Sequence, residues 1–490
     1  MRTQDLIKKL AGLTAIYGLS SIIGRLLNYL LTPLLTRVFT QGEYGIITEL
    51  YSYSGFLLVL FVYGMETAFF WYVKSSGKTA EQVYSTVMWS IIGTTALLVG
   101  LTVGFAPTIA GWINYPNNAE YVVWFAFIVG LDTLSAIPFA LLRYQERAWR
   151  FALIRLTNIG VNIGLVLFFL LLCPVWADKY SFIGAWYVPQ LGVGYVFIAN
   201  LIAGAVTLLL LLPQLLQIKL QFDAALWRQM LVYALPLVVV GFAGIVNEML
   251  DRVMLKYLLP YDAATNQAML GVYGACYKLS ILMSLFTQAY RFAAEPLFFA
   301  QAERQHAPYL YAQSMKFFVI AGVVIFMGVM LFLDIFQHFI GKDFRVGLPV
   351  VPYLLMANLF LGIYYNLSIW YKLSGKTHIG AYISVAGAFI TIALNLLLVP
   401  QFGYLGAAWA TLACYMAMCV LSYYIGGRYF PIPYNTSIIT AYIVAAVLVV
   451  VADDLWLTHL PYMLAGVMRI LLITLFLVVI YLTEKRHVTA

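Results

Sequence analysis

Gly42-Glu43-Tyr44-Gly45, an apolar run of helical length, and then Glu66-Thr67-Ala68-Phe69-Phe70 form a stretch that this chain contains twice. The second copy reads Gly271-Val272-Tyr273-Gly274, a similar apolar run, and then Glu295-Pro296-Leu297-Phe298-Phe299. Both ends of the two copies match at one offset of 229 residues (271 minus 42), without a gap. The stretch therefore indicates an internal repeat.

The same offset continues beyond this stretch. It pairs Ser85 with Ser314 and Arg143 with Lys372. Paired glycines let a chain turn at a membrane surface and let helices approach closely. Two like halves, with their N-termini on the same side of a membrane, are a common plan among transporters.

The composition is that of a membrane protein. Of the 490 residues, 63% are hydrophobic and 10% are charged, and the mean hydropathy is +0.90. Soluble domains carry about 25% charged residues, so the sequence predicts a polytopic membrane protein. The N-terminal apolar run continues into a second span and is too long for a cleaved signal peptide. The scattered cysteines and histidines predict neither disulfides nor a metal site.

Fourteen apolar segments reach the roughly 20 residues that a transmembrane helix needs. They lie at about 11–36, 45–73, 82–112, 119–142, 152–173, 188–213, 229–258, 271–300, 314–340, 349–371, 379–399, 405–427, 437–456 and 462–483. The repeat predicts an N-lobe of six helices (1–213), a linker (214–228), a C-lobe of six helices (229–428) and two further helices in 429–490. The predicted fold class is therefore an all-α bundle of two six-helix lobes plus two C-terminal helices.

Basic residues are unevenly distributed between the two faces. With the N-terminus inside, 16 lysines and arginines fall in cytoplasmic segments and 4 fall on the other face. Because basic residues accumulate in cytoplasmic loops, both termini are predicted to be cytoplasmic. The net charge of +8 follows this asymmetry, so it does not indicate a nucleic-acid partner.

Several charged side chains fall inside predicted spans, where a charge costs on the order of 3 kcal/mol and normally faces a partner or an aqueous cavity. Arginine suits an anionic substrate because its guanidinium binds phosphate bidentately and stays charged. The candidate residues for a substrate-binding cavity are Arg25, Asn28, Arg252, Lys278 and Arg291. Carboxylates could neutralise the empty cavity or carry a coupling ion. The candidates for coupling or gating are Glu66, Glu248, Asp251 and Glu295.

The alternative explanation for such charges is structural. Ion pairs between helices, or charges that reach the headgroups, need no cavity. This explanation is favoured for four residues near span ends, namely Glu49, Lys256, Lys316 and Asp334. It is also favoured for Glu66 and Glu295, whose recurrence at equivalent positions suggests a role in capping the fold or in gating. Glu248 and Arg252 are four residues apart and share a helix face, so they can pair.

No catalytic pattern is present. The run Ser374-Gly375-Lys376-Thr377 lacks the upstream glycine of a phosphate-binding loop and lies between two spans. The longest segment on the outer face, about 174–187, is too short for a catalytic domain. We therefore expect a protein that is not an enzyme and that uses no cofactor.

The ordered motifs resemble a known family. They include Pro33-Leu34-Leu35-Thr36-Arg37, Gly42-x-Tyr44-Gly45, and the segments 395–400 and 403–408. The set is similar to the polysaccharide transporter branch of the multidrug/oligosaccharidyl-lipid/polysaccharide flippase superfamily, and the likeness covers nearly the whole chain. It implies a V-shaped, two-lobed bundle, like that of the MATE multidrug transporters, in the bacterial cytoplasmic membrane.

The resemblance also implies a function. Such relatives move undecaprenyl-diphosphate-linked oligosaccharide to the periplasmic face by alternating access, for O-antigen, capsule or exopolysaccharide synthesis. A basic cavity holds the diphosphate-sugar head, for which Arg25 and Arg252 are the best matches here. The last two helices would hold the polyprenyl tail. The implied partners are this glycan lipid, membrane lipids and a polysaccharide polymerase or export machinery, and a proton gradient, a sodium gradient or the membrane potential could drive transport.

Other functions stay open. A lipid II flippase, which moves the peptidoglycan precursor, is a close neighbour that these residues do not separate from the first. A multidrug or cation antiporter of the same fold would need a cavity dominated by carboxylates and usually has twelve spans. The basic bias and the last two helices argue against that antiporter. A glycan polymerase or ligase would need a large periplasmic loop.

Overall fold

The chain folds almost entirely into helices in the computed structural model, which describes residues 18–302, 306–457 and 459–489. The long helices, here α1 to α14, are Gly18–Val38, Gln41–Ser75, Ala80–Gly104, Ala119–Tyr144, Ala148–Ala177, Gly194–Leu210, Ala224–Leu258, the pair Ala263–Leu279 and Ile281–Phe299 (α8), Ala307–Leu331, Lys342–Leu373, Thr377–Phe402, Tyr404–Tyr429, Thr436–Leu457 and Tyr462–Lys485. These described ranges contain no β-strand. The predicted all-α fold class is confirmed.

Each of the fourteen predicted spans coincides with one of these helices. Among the described residues, twelve helices are long and apolar enough to cross a membrane, and α8 is a thirteenth candidate bent by 48°. Helix α6 has 17 residues, which is about 26 Å at 1.5 Å per residue and slightly less than the thickness of the bilayer hydrocarbon. The predicted beginning of the first span, residues 11–17, lies outside the described residues.

Helix α2 shows how the repeated stretch works locally. Thr40 and Glu43 form a capping box in which the Glu43 N–H donates to the Thr40 hydroxyl and the Thr40 N–H donates to the Glu43 carboxylate. Tyr63 and Gly64 have positive φ angles of 34° and 74°, which interrupt the helix. A side chain at Gly64 would press on α7, so glycine suits both the angle and the space. Glu66 lies in the first turn after this interruption.

The two copies of the glycine motif pack against each other. A Cβ atom added at Gly45 would lie less than 3.0 Å from the Gln267 carbonyl oxygen. One added at Gly271 would lie equally close to the Gln41 carbonyl oxygen. Glycine therefore lets α2 and the first segment of α8 cross at backbone contact, as the motif predicts. Gly42, in contrast, has no such neighbour within 4 Å.

The chain forms two compact units. Among the described residues, one unit contains those up to Gly274 together with Ser384–Ala407, and the other contains those of 275–383 and those from Ala408 onward. Helix α7, the first helix of the predicted C-lobe, packs in the first unit, where Met230 is buried beside Phe69. Packing and the sequence repeat thus divide the chain at different points. The predicted lobe boundaries, which follow the repeat, stay a prediction.

The linker between α6 and α7 is bound along α3. Lys219 forms an ion pair with Glu81, and the Trp89 indole donates to the Lys219 carbonyl oxygen (2.9 Å). Asp223 caps α7 by accepting a backbone N–H of the first turn (2.9 Å). Its other carboxylate oxygen lies 3.1 Å from the Lys78 Nζ. The predicted linker is therefore an ordered segment, held against α3 by these contacts.

An ion pair and a cluster of three charges join the last two helices to the region of α9. Lys316 pairs with Glu484 of α14. Arg469 contacts Asp453 at 2.8 Å and Asp334 at 2.7 Å. These contacts agree with the structural role that was favoured for Lys316 and Asp334.

Candidate functional site

In the first unit, Glu66 forms an ion pair with Arg143 of α4. Both side chains are about one-third exposed, at 38% and 34%. The Arg143 guanidinium lies 5.3 Å from the centre of the Phe70 ring. Its Nε is buried and has no hydrogen-bond partner among the described residues. Arg143 therefore has donor capacity that Glu66 does not use.

In the second unit, Glu295 forms an ion pair with Lys372. These residues lie 229 positions after Glu66 and Arg143, so both members of the first pair recur at the repeat offset. The exposed fractions are also similar, at 34% and 29%. Sequence reasoning selected both glutamates as gating candidates but left their basic partners out. The signal was present, because the offset pairs Arg143 with Lys372.

Arg291 lies one helical turn before Glu295 on α8. Its guanidinium lies 4.9 Å from the centre of the Tyr365 ring, at a cation–π distance. It has no carboxylate partner among the described residues, and its side chain is half-buried. A cation of this kind within a span marks a candidate functional site.

Arg291, Glu295 and Lys372 line a cavity of about 10 Å³, with room for about one water molecule. The Tyr290 hydroxyl fixes one wall, at 2.7 Å from the Ser314 hydroxyl and 2.6 Å from the Asn366 amide oxygen. A phosphate group is larger than this space. The space between these three charged side chains therefore does not hold a phosphate while the Glu295–Lys372 pair is closed.

The first unit has a comparable second cation in Arg155 of α5. Its guanidinium lies 4.3 Å from the centre of the Phe139 ring and 5.7 Å from that of Phe151. It also interacts electrostatically with Arg143 and Asp132. Each unit thus combines an acid–base pair at the repeat position with a guanidinium supported by an aromatic ring.

The charged residues predicted on α7 lie together. The Arg252 guanidinium donates to the Glu248 carbonyl oxygen at 3.0 Å, so the predicted contact between the two residues uses the backbone rather than the carboxylate. Asp251 accepts from the Arg252 N–H at 2.8 Å and from the Tyr273 hydroxyl at 2.6 Å. Asp251 and Arg252 are buried, whereas Glu248 is exposed.

Arg25 and Asn28 are exposed on α1, and the part of the chain that the structure describes offers Arg25 no hydrogen bond or ion pair. Lys278 is half-buried near the end of the first segment of α8. Lys278 belongs to the second unit with Arg291 and Glu295, and Arg25 belongs to the first unit. The cavity roles assigned to these residues stay predictions.

Glu49 and Lys256 form a buried ion pair between α2 and α7 that sequence reasoning did not place at a functional site. The Lys256 Nζ lies 2.7 Å from one Glu49 oxygen and 2.9 Å from the other. The hydroxyls of Tyr53 and Tyr115 donate to the same carboxylate, and the Ile113 carbonyl oxygen accepts from the ammonium. This arrangement agrees with the structural role favoured for both charges.

Comparison with known proteins identifies the family. The sequence profile of a family described as polysaccharide biosynthesis protein matches residues 12–302, which is more than half of the chain. The chain belongs to this family. The matched segment includes both copies of the repeated stretch. No curated protein sequence matches the chain significantly.

Solved structures show the same fold. A lipid II flippase MurJ in an inward closed conformation has a TM-score of 0.73 and 15% identity, covering 96% of this chain and 99% of that one. An inward-facing MATE family multidrug resistance transporter of the MOP superfamily has a TM-score of 0.60 and 14% identity, covering 87% and 94%. An outward-facing MATE transporter of that superfamily has a TM-score of 0.55 and 11% identity, covering 85% and 95%. The MurJ/MATE-like fold implied by the resemblance is confirmed.

The arrangement of charges suits binding rather than covalent chemistry. Each unit contains basic side chains of the kind that can bind anions, and one of them in each unit is paired with a carboxylate. The described residues contain no group of acidic, histidine and cysteine side chains that could hold a metal ion.

Proposed function

We propose that this protein is a flippase that moves a polyprenyl-diphosphate-linked oligosaccharide across the bacterial cytoplasmic membrane for surface polysaccharide synthesis. The observation that carries the proposal is Arg291, a guanidinium within a span, supported by Tyr365 and without a carboxylate partner among the described residues. In a member of a polysaccharide biosynthesis family, the diphosphate of a glycan lipid is a matching anion.

The physical problem is the headgroup. A diphosphate joined to several sugars cannot enter hydrocarbon without losing many hydrogen bonds with water, so it needs a polar path through the protein. Arginines along that path replace water at the phosphates. Alternating access would then open the path first to the cytoplasmic face, on which both termini are proposed to lie, and then to the periplasmic face.

Coupling requires a carboxylate that an ion can reach. Of the four candidates, Glu248 is exposed, whereas Asp251 is buried and bonded to Tyr273. Glu66 and Glu295 are engaged in ion pairs. We therefore assign coupling to a proton, a sodium ion or the membrane potential to Glu248, and gating to Glu66 and Glu295.

Lipid II flipping is the second candidate. It is favoured by the extent of the match to the MurJ structure, which covers 96% of this chain, whereas the two MATE transporter structures cover 87% and 85% of it. Lipid II also carries a diphosphate, so the same cations serve either substrate. A multidrug or cation antiporter is the third candidate, and the basic residues of the site argue against it.

The test uses purified protein in vesicles with labelled undecaprenyl-diphosphate oligosaccharide, and lipid II and a cationic drug as parallel substrates. Arg291→Ala and Arg25→Ala should each lower oligosaccharide transport at least tenfold, since a hydrogen bond to a charged group is worth about 1.5–3 kcal/mol. Arg428→Ala, at an exposed arginine at the end of α12, is the matched control and should transport normally.

Normal transport by both Arg291→Ala and Arg25→Ala would contradict the assignment of these residues. Transport of lipid II alone would select the second candidate. Export of the drug without movement of either lipid would select the third.

A further inference from the structure

We propose that Glu66 and Glu295 are displaceable counter-ions, and that an arriving phosphate anion takes Arg143 and Lys372 from them. The proposal rests on the proposed function in one respect, namely that the substrate headgroup is anionic. It adds two phosphate-binding residues, Arg143 and Lys372, and a role for the carboxylates that hold them.

The repeat supplies the first argument. The pairs Glu66–Arg143 and Glu295–Lys372 keep the acid and the base at the same offset. The base is an arginine in the first pair and a lysine in the second. The positive charge and its glutamate partner therefore recur, whereas the hydrogen-bond geometry does not. The structural pair Glu49–Lys256 does not recur, because the position equivalent to Glu49 holds Lys278.

Exposure supplies the second argument. The repeated pairs are about one-third exposed, whereas Glu49 and Lys256 are almost completely buried. A partly exposed ion pair is worth little, so another anion can replace its carboxylate readily. A buried pair opens only at a high cost, because each partner would be left without a counter-charge. Accessibility therefore separates the two repeated pairs from the buried pair Glu49–Lys256.

Spare donors supply the third argument. Arg143 keeps a buried Nε without a partner among the described residues, and Arg291 beside Lys372 has no carboxylate partner there. The cavity beside Glu295 admits about one water molecule while the pair is closed. Separation of Glu295 from Lys372 would release an ammonium and enlarge the cavity in one step.

The exchange also explains release. A phosphate gripped by permanent cations would leave slowly. A carboxylate that competes for the same cation lowers the affinity and takes the cation back when the anion departs. The carboxylates thus keep the empty site neutral and make binding reversible.

The test measures binding of geranylgeranyl diphosphate to the purified full-length protein in detergent, with geranylgeraniol as the uncharged control. Glu66→Gln and Glu295→Gln should each bind the diphosphate about three- to fivefold more tightly, since a partly exposed pair is worth up to about 1 kcal/mol. Arg143→Gln and Lys372→Gln should weaken binding about tenfold. Affinity for the alcohol should not change.

Glu484→Gln is the matched control, because Glu484 pairs with Lys316 in the same unit as Glu295. It should lower the Tm and leave the diphosphate Kd unchanged. If Glu66→Gln and Glu295→Gln behave in the same way, the repeated pairs are structural and the proposal is overturned. If Glu66→Gln or Glu295→Gln does not accumulate as folded protein, the diphosphate Kd of the remaining variant tests the exchange in the other unit.

The two proposals can fail separately. A shift in diphosphate affinity without transport of the glycan lipid would uphold the exchange and remove the proposed substrate. Transport of the glycan lipid with unchanged diphosphate affinities in all four variants would uphold the proposed substrate and overturn the exchange.

Discussion

Charged side chains in this protein differ mainly in whether their charges are already satisfied. Glu49 and Lys256 use all their capacity on each other and on neighbouring hydroxyl and carbonyl groups. The Arg291 guanidinium lies over the Tyr365 ring, and its N–H groups remain available to another acceptor. This difference separates charges whose partners are all within the fold from charges that keep donors for another partner, and the partners themselves are visible only in the folded structure.

Glu49→Gln should be strongly destabilising. Loss of the carboxylate leaves the Lys256 ammonium buried without a counter-charge, which costs about 3–5 kcal/mol. Thermal unfolding in detergent should show a clear decrease in Tm. The double variant Glu49→Leu with Lys256→Met removes both charges and should recover most of the loss. A Tm equal to that of the wild type in Glu49→Gln alone would contradict the buried pair.

At the scale of elements, the crossing of α2 with the first segment of α8 depends on particular glycines. Gly271→Ala would place a methyl group against the Gln41 carbonyl oxygen and should destabilise the protein by about 1–3 kcal/mol or more. Gly42→Ala is the matched control, because Gly42 is the repeat equivalent of Gly271 and has open space around it. It should be neutral or slightly stabilising, since alanine favours a helix. Equal effects on the Tm would contradict the crossing.

The contacts of the linker before α7 predict a stability that depends on pH. The backbone N–H of Leu226 and then Lys78 lower the pKa of Asp223 below its usual 3.8. The charged form therefore stabilises the fold at neutral pH, and this contribution is lost as the pH falls through the lowered pKa. Asp223→Asn keeps the helix cap and loses the attraction to Lys78, whereas Asp223→Ala loses both.

The expected order of Tm at pH 7 is wild type, then Asp223→Asn, then Asp223→Ala. The difference between the wild type and Asp223→Asn should shrink in acid, and Lys78→Gln should match Asp223→Asn. A difference that is constant with pH would show that the ion pair does not contribute.

At the scale of the whole molecule, hydropathy was sufficient to predict the helices, because about 20 apolar residues are needed to span a bilayer whatever their neighbours are. The bend in α8 and the packing of α7 in the first unit were beyond such reasoning, since hydropathy carries no information about helix bends or about which distant segments pack together. The site was predictable in part. Arg291 and Glu295 stood out as charges in spans. The repeat offset marked Lys372 as a basic residue that recurs, but its ion pair with Glu295 is visible only in the fold.

The most direct test of the central claim is to locate the undecaprenyl-linked oligosaccharide in cells depleted of this protein, by measuring its accessibility from each face of the membrane. Our account predicts that the lipid accumulates on the cytoplasmic leaflet and that surface glycan is lost. Normal glycan export, together with increased sensitivity to cationic drugs, would contradict it.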